Sequence, residues 1–314
     1  MKTHSKSKFI AQKADPIFKL ITALCATAIL LITAGILVEL IRGSGMALGK
    51  FGFAFLISGA WNPVTQNFGA ASSIFGTLVS TIIAMSLAVP LSLAIALFLV
   101  ELANPLVRRI IGNALELLAA IPSIIYGMWG LFVFAPFMSK YIQPMLAKTL
   151  GFLPLFQGPP MGVGILTAGF ILALMVLPFI SAVMRDVFQM VPSVVKEAAY
   201  GMGGTTWEVS KNVTVRYGIS GLIGASFLGL GRAIGETMAI TFVIGNDHRI
   251  RSSLFAAGNS IASTLANEFT EASDPLYLSS LVLLGLVLFA ITLTIQIGTH
   301  LWLKRLKRRA GGGL

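Results

Sequence analysis

Polar residues along this chain gather between six long apolar stretches, at about residues 20–41, 72–100, 110–138, 162–184, 217–245 and 276–303. An α-helix rises about 1.5 Å per residue, so roughly 20 apolar residues cross a hydrocarbon core. The pattern predicts six transmembrane helices and an all-α integral membrane fold. Membrane barrel strands would instead show alternating segments of ~10 residues, and the chain has none. Pro122 and Pro136 fall inside the third stretch and Pro178 inside the fourth. Prolines are tolerable there because neighbouring helices re-satisfy the freed backbone groups. The first stretch follows a long basic segment and exceeds the roughly 7–15 residues of a signal-peptide core, so it is expected to remain as an uncleaved helix.

The cations between the stretches predict an orientation, because cytoplasmic loops carry an excess of Lys and Arg. With the N-terminus inside, sixteen of the 23 cations fall on inner segments. They are Lys2, Lys6, Lys8, Lys13 and Lys19, then Arg108 and Arg109, then Arg185, Lys196, Lys211 and Arg216, and five from Lys304 to Arg309. Six fall outside: Arg42, Lys50, Lys140, Lys148, Arg249 and Arg251. Both termini are therefore expected to be cytoplasmic. The organisation is a cytoplasmic tail over 1–19, a six-helix permease domain over 20–303 and a basic cytoplasmic tail over 304–314. An inner loop over 185–216 is long, polar and predicted helical in its middle.

Three outer loops are longer than turns. Residues 43–71 are rich in glycine and aromatics, among them Phe51, Phe53, Phe55, Trp61 and Phe68, and residues 139–161 end in Gly158-Pro159-Pro160. Residues 246–277 contain a short amphipathic helix, with Ser260 as its N-cap and Ile261, Leu265 and Phe269 on one face. Aromatics concentrate at membrane interfaces, so packing there accounts for these loops; a docking surface or gate for an outside partner is the alternative.

Composition narrows the functional classes. Of 314 residues, 56% are hydrophobic and 11% charged, against roughly 25% charged in soluble domains. That excludes an ordinary cytosolic enzyme. The net charge of +11 sits mainly on the expected inner loops, so nucleic acid is not needed to explain it. A single Cys25 excludes a disulfide framework or a cysteine metal site. The nearest approach to a phosphate-binding loop, Gly45, Gly49 and Lys50, has the wrong spacing and Phe51 where Ser or Thr belongs. His4, His248 and His300 are scattered. No cofactor is expected in this chain, and energy must come from a partner or an ion gradient.

Three ionisable residues lie well inside predicted spans, away from their ends: Glu116, Arg232 and Glu236. A charge at mid-bilayer costs about 2.5–3.5 kcal/mol on insertion scales, so such residues usually face a pathway or a partner. Glu236 follows Arg232 by four residues, which on a continuous helix puts both on one face within ion-pair reach. The pair is either structural neutralisation or a switchable cation on the route of an anion. Glu116 lies toward the cytoplasmic end of the third stretch, where Pro122 weakens the helix; packing and gating are both open to it. Gly231 and Gly235 form a GxxxG, which permits close helix approach.

The loop segment KEAAYGMGGTTWEVSKNVTVR, Lys196 to Arg216, places Gly203 six residues after Glu197, Ala198 and Ala199. It resembles the cytoplasmic EAA loop of ATP-binding-cassette importer permeases, although Val213, Val215 and Arg216 stand where that family closes with I-x-L-P. The segments Glu116 to Pro136, Ala182 to Pro192 and Gly229 to Asn246 are similar to the C-type permease subunits of bacterial high-affinity phosphate importers. The similarity covers nearly the whole chain and is weakest in the N-terminal tail and outer loops. It implies a type I ABC importer permease fold in the bacterial inner (plasma) membrane. It also implies phosphate passage at Arg232 and Glu236, and docking of an ATPase on the helix bearing Glu197, Ala198, Ala199 and Gly203. The implied partners are an A-type permease subunit, two copies of an ATP-binding cassette subunit carrying ATP and Mg, and a periplasmic or surface phosphate-binding protein. The residues alone leave room for a permease of another oxyanion such as sulfate or molybdate, for an ion-coupled secondary transporter, and for a non-transporting scaffold.

Overall fold

A computed structural model describes residues 3–309, with side chains placed for 15–305. The basic side chains of Lys2, Lys6, Lys8, Lys13, Lys307, Arg308 and Arg309, on which much of the tail assignment rests, lie outside that description.

Five helical segments are long and apolar enough to cross a membrane: Asp15–Gly43, Ala71–Leu102, Ile165–Gln189, Thr206–Ile234 and Pro275–Arg305. They correspond to five of the six expected spans. The third expected span is broken. Its two halves, Pro105–Ala120 and Ser123–Leu150, meet at 91°. The cause is local, since a proline's ring disfavours helical geometry in the residue before it. Ile121 and Pro122 both take extended ψ values, 128° and 138°. The Tyr126 hydroxyl donates to the Leu118 carbonyl across the break, at 2.9 Å, satisfying an acceptor that the ended helix frees.

The helices that matter for the site are α1 (Thr3–Gly43), α2 (Ala71–Leu97), α3 (Pro105–Ala120), α4 (Ser123–Trp129), α5 (Ile165–Gln189), α6 (Ser193–Gly201), α7 (Val215–Ile234), α8 (Met238–Val243), α9 (Ile261–Glu268) and α10 (Pro275–Arg309). Helix α3 starts where sequence rules place it: Asn104 accepts from the Val107 N–H at 2.8 Å and Pro105 takes the first turn. Both are favoured at helix N-termini.

Helix α5 is the centre of the bundle. Ile171, Leu172, Val176, Ile180, Met184 and Phe188 are buried along it. Helix α2 answers with small residues, Ser80, Ala84, Ala88, Ser92 and Ala96, and Ser92 Oγ donates to the Leu177 carbonyl at 3.0 Å. Small residues let membrane helices approach closely, and packing rather than hydrophobic exclusion then drives association in lipid. Gly229 of α7 serves the same end, since a Cβ there would lie 2.5 Å from Ile180. Helix α1 stands apart with Leu24, Ile29, Leu30 and Ile32 exposed, and meets α10 through Gly43 against Val282.

The fifth expected span, 217–245, also differs from expectation. Helix α7 stops at Ile234, and Gly235, Glu236 and Thr237 lead into the separate short helix α8. The pair Gly231 and Gly235 is therefore not a continuous packing motif. A Cβ at Gly231 would touch only Gln296, and one at Gly235 only the Gly231 carbonyl.

The loops at residues 43–71 and 246–274 pack onto each other at one end of the bundle. A two-stranded hairpin, Trp61–Asn62 with Asn67–Phe68, lays Trp61 flat on His248 with ring centroids 5.3 Å apart, and Phe68 on Tyr277 at 5.1 Å. Glu268 binds all three sides of this cluster. It meets His248 Nε2 at 2.8 Å, accepts from the Tyr277 hydroxyl at 2.7 Å, and accepts from the Trp61 indole N–H. Ser260 caps α9 as expected, with Ser263 completing the reciprocal capping box. Interior packing thus accounts for most of the aromatic loop.

Candidate functional site

Arg232 and Glu236 are brought close in sequence but not into contact. Arg232 sits in the last turn of α7 and its guanidinium lies over the Phe179 ring of α5, 5.6 Å from the centroid. The residue is exposed on the surface of this chain, and among the described residues it forms no ion pair. The expected Arg232–Glu236 pair fails for a geometric reason. An i, i+4 pair needs a helix through both residues, and this one ends between them. Glu236 turns its carboxylate onto the start of α8 instead, accepting from the Ala239 N–H at 3.2 Å. An acidic side chain is favoured there because the first helical N–H groups lack backbone partners.

The surroundings of Arg232 suit an anion. A guanidinium over an aromatic face is held without consuming its hydrogen bonds, and its planar fork then donates two parallel bonds to an oxyanion. Gly127 lets α8 press against α4, since a Cβ there would lie 2.8 Å from Phe242 and 3.0 Å from the Met238 carbonyl.

Glu116, the third of these ionisable residues, lies on a different helix. It is exposed on α3, on the far side of the break at Pro122, and meets Arg185 of α5 at 3.4 Å. Arg185 also meets Asp186 at 3.4 Å. The Glu116–Arg185 pair joins α3 to the end of α5. Among the described residues no contact joins Glu116 to Arg232 or Glu236.

The loop over 185–216 contains the expected helix, α6, with Glu197 and Ala198 exposed and Ala199 half-buried. Gly203 takes φ +86° with nothing within 4 Å of a Cβ position, so it is the left-handed backbone rather than crowding that favours glycine there. Around α6 lie the exposed apolar side chains of Met190, Val194, Tyr200, Met202 and Trp207. Two features escaped the sequence reading. Phe179 looked like any other apolar residue of its span. Glu101, just past the end of the second apolar stretch, is enclosed rather than solvated, with 7% of its side chain exposed, and is paired with Lys196 at 2.7 Å.

The family model described as "Binding-protein-dependent transport system inner membrane component" matches residues 88–310. The chain is 52% identical over 301 residues to the phosphate transport system permease protein PstC of Mesorhizobium japonicum, covering 95% of this chain and 92% of that one. It is 49% identical over 315 residues to the PstC of Haemophilus influenzae, covering 99% and 100%. In fold it is similar to a solved bacterial alginate ABC transporter in complex with an alginate-bound periplasmic protein, with a TM-score of 0.59 and 17% identity over 93% of this chain and 94% of that one.

Proposed function

The chain belongs to the binding-protein-dependent transport system inner membrane components, and from that premise we propose that it is the permease subunit of an ATP-driven phosphate importer working by alternating access. Membership makes it a multi-pass inner-membrane protein and not itself an enzyme. Near-half identity along almost its full length to proteins named as phosphate permeases supports phosphate as the cargo. ATP and Mg then belong to two copies of an ATPase partner, and a periplasmic or surface phosphate-binding protein delivers the anion. The distribution of Lys and Arg supports cytoplasmic termini and a cytoplasmic 185–216 loop.

One observation carries the mechanistic reading: Arg232 is exposed on this chain in the last turn of an apolar span, where a bare cation in lipid is costly, and among the described residues it has no carboxylate to neutralise it. That surface calls for a protein cover, which an A-type permease subunit supplies, and the guanidinium then faces the passage between the two. ATP-driven closure of the ATPase pair moves α6, docked through its exposed apolar side chains and Glu197. The helices re-aim, Arg232 receives phosphate from the outer side, and the passage opens inward. Glu236 keeps α8 seated at the mouth of this passage. Glu116 holds α3 against α5 through Arg185.

The deciding experiment is phosphate uptake into proteoliposomes holding this chain with its partner subunits, with and without ATP. Uptake should require ATP and the ATPase subunits, and excess sulfate or molybdate should not compete. Competition by either would move the substrate assignment to that oxyanion, and uptake by the chain alone without ATP would favour a secondary transporter.

A further inference from the structure

Helix α6 has no buried residue, and most of its side chains face away from the bundle. Among the described residues it makes one side-chain hydrogen bond to the rest of the chain. Lys196 Nζ donates to Glu101 Oε1 at 2.7 Å. The same oxygen accepts from Thr214 Oγ1 at 2.9 Å. Three segments thus converge on a single carboxylate oxygen: the end of the second span, α6, and the base of the fifth.

The backbone at two of those three places is unusual. Glu101 lies in a π-helical turn, Phe98–Leu102, that continues α2. Thr214 closes another, Ser210–Thr214, that leads into α7. A π turn holds an extra residue in the helical spiral, and such turns concentrate at functional sites. The carbonyls of the first are held from outside: Arg108 donates through Nε to Leu99 O at 2.7 Å and through a terminal nitrogen to Val100 O at 2.9 Å. The carboxylate is therefore fixed on a braced turn, and Lys196, with 17% of its side chain exposed, reaches it through an enclosed space. In such surroundings a charge-assisted bond is stronger than at a solvated surface.

We propose that Glu101 is a positioning residue for transport: it is the single carboxylate through which displacement of α6 is passed at once to the second span and to the base of the helix that carries Arg232. Thr214 lies eighteen residues before Arg232, about 27 Å along a helix at 1.5 Å per residue, so a tilt at its base swings the guanidinium. The inference rests on the permease reading and on an ATPase docked at α6. Neither Glu101 nor Lys196 touches the passage; both act through the helices they hold.

The test compares four variants in the assembled importer, in proteoliposomes, reading phosphate uptake and ATP hydrolysis together with the amount of ATPase that co-purifies. Glu101→Gln and Lys196→Met should keep the ATPase bound and hydrolysing while phosphate moved per ATP falls about tenfold or more, the scale of one charge-assisted hydrogen bond. Lys196→Arg should retain coupling. The double variant Glu101→Met with Lys196→Met separates a relay from a brace, because replacing both partners of an enclosed pair by apolar groups is often neutral for stability. It should recover the thermal stability lost in the single variants and still move little phosphate per ATP. Recovery of coupling along with stability in the double variant, or a normal ratio in Glu101→Gln, would overturn the relay and leave the permease reading standing. A wild-type assembly without ATP-dependent uptake would take down both.

Discussion

Arg232 and Glu236 are four residues apart, one in the last turn of α7 and the other in the connection to α8: the first lies over Phe179 at 5.6 Å and the second accepts from the Ala239 N–H at 3.2 Å. Among the described residues the cation is thereby left without a counter-charge, and the carboxylate is occupied with a helix start. Their effects on transport should be separable.

Replacing Arg232 by Gln is expected to lower phosphate uptake by about two orders of magnitude or more, the scale of losing one preorganised anion donor. Assembly and basal ATP hydrolysis should persist. Full uptake in that variant would remove Arg232 from the pathway.

Glu236→Ala should cost about 1 kcal/mol of local stability, as loss of a helix-start acceptor does, and Glu236→Gln much less because its amide oxygen still accepts. In a double-mutant cycle on stability, Arg232→Gln and Glu236→Gln should be additive. A coupling energy above about 0.5 kcal/mol would mean that the two side chains do interact.

Gly203→Ala places a side chain at φ +86° in open space, so the penalty is conformational, about 1–2 kcal/mol, and confined to the end of α6. Reduced co-purification of the ATPase with an otherwise intact bundle is the expected outcome, read by pull-down and by thermal melting of the isolated chain.

Gly76 marks a closer approach. A Cβ there would fall 1.8 Å from the Asn259 carbonyl oxygen, and backbone cannot yield as a side-chain tip does. Gly76→Ala should destabilise by about 3 kcal/mol, the upper part of the usual range for overpacking, and show as a lowered melting temperature or failed expression.

Glu268 carries a pH dependence. Burial raises its carboxyl's pKa, but hydrogen bonds from His248, Tyr277 and Trp61 outweigh burial and hold it below the ordinary carboxylate value. A folded value lowered in this way stabilises fully above the unfolded value of about 4.3 and loses that contribution as pH falls through the lowered one. Fluorescence of a variant retaining only Trp61 should therefore hold steady on this account above about pH 5 and change at about pH 4 and below. Glu268→Gln should abolish that acid transition.

How much of this was legible in the sequence follows from what each signal measures. The apolar stretches located four spans well, because the free energy of leaving water depends on composition over about 20 residues; the fifth, Thr206–Ile234, they started about eleven residues too late. The break at Ile121 and Pro122 had its warning in the proline. The end of α7 at Gly235 had none that hydropathy detects, since a window average is blind to one residue leaving helical geometry. The Gly203 turn and the Ser260 cap were readable because backbone chemistry a few residues long sets them.

The sequence by itself therefore determined that the chain lives in a membrane, roughly where it crosses, and which residues carry charge that lipid does not welcome. Only the tertiary structure decided their neighbours: that Arg232 faces Phe179 rather than Glu236, that Glu116 meets Arg185, and that Glu101 gathers Lys196 and Thr214 from 95 and 113 residues away. Burial cost is a property of a residue and its depth, and can be summed along a chain. Pairing is a property of two surfaces, and it exists only once the helices have chosen their crossing points and their breaks.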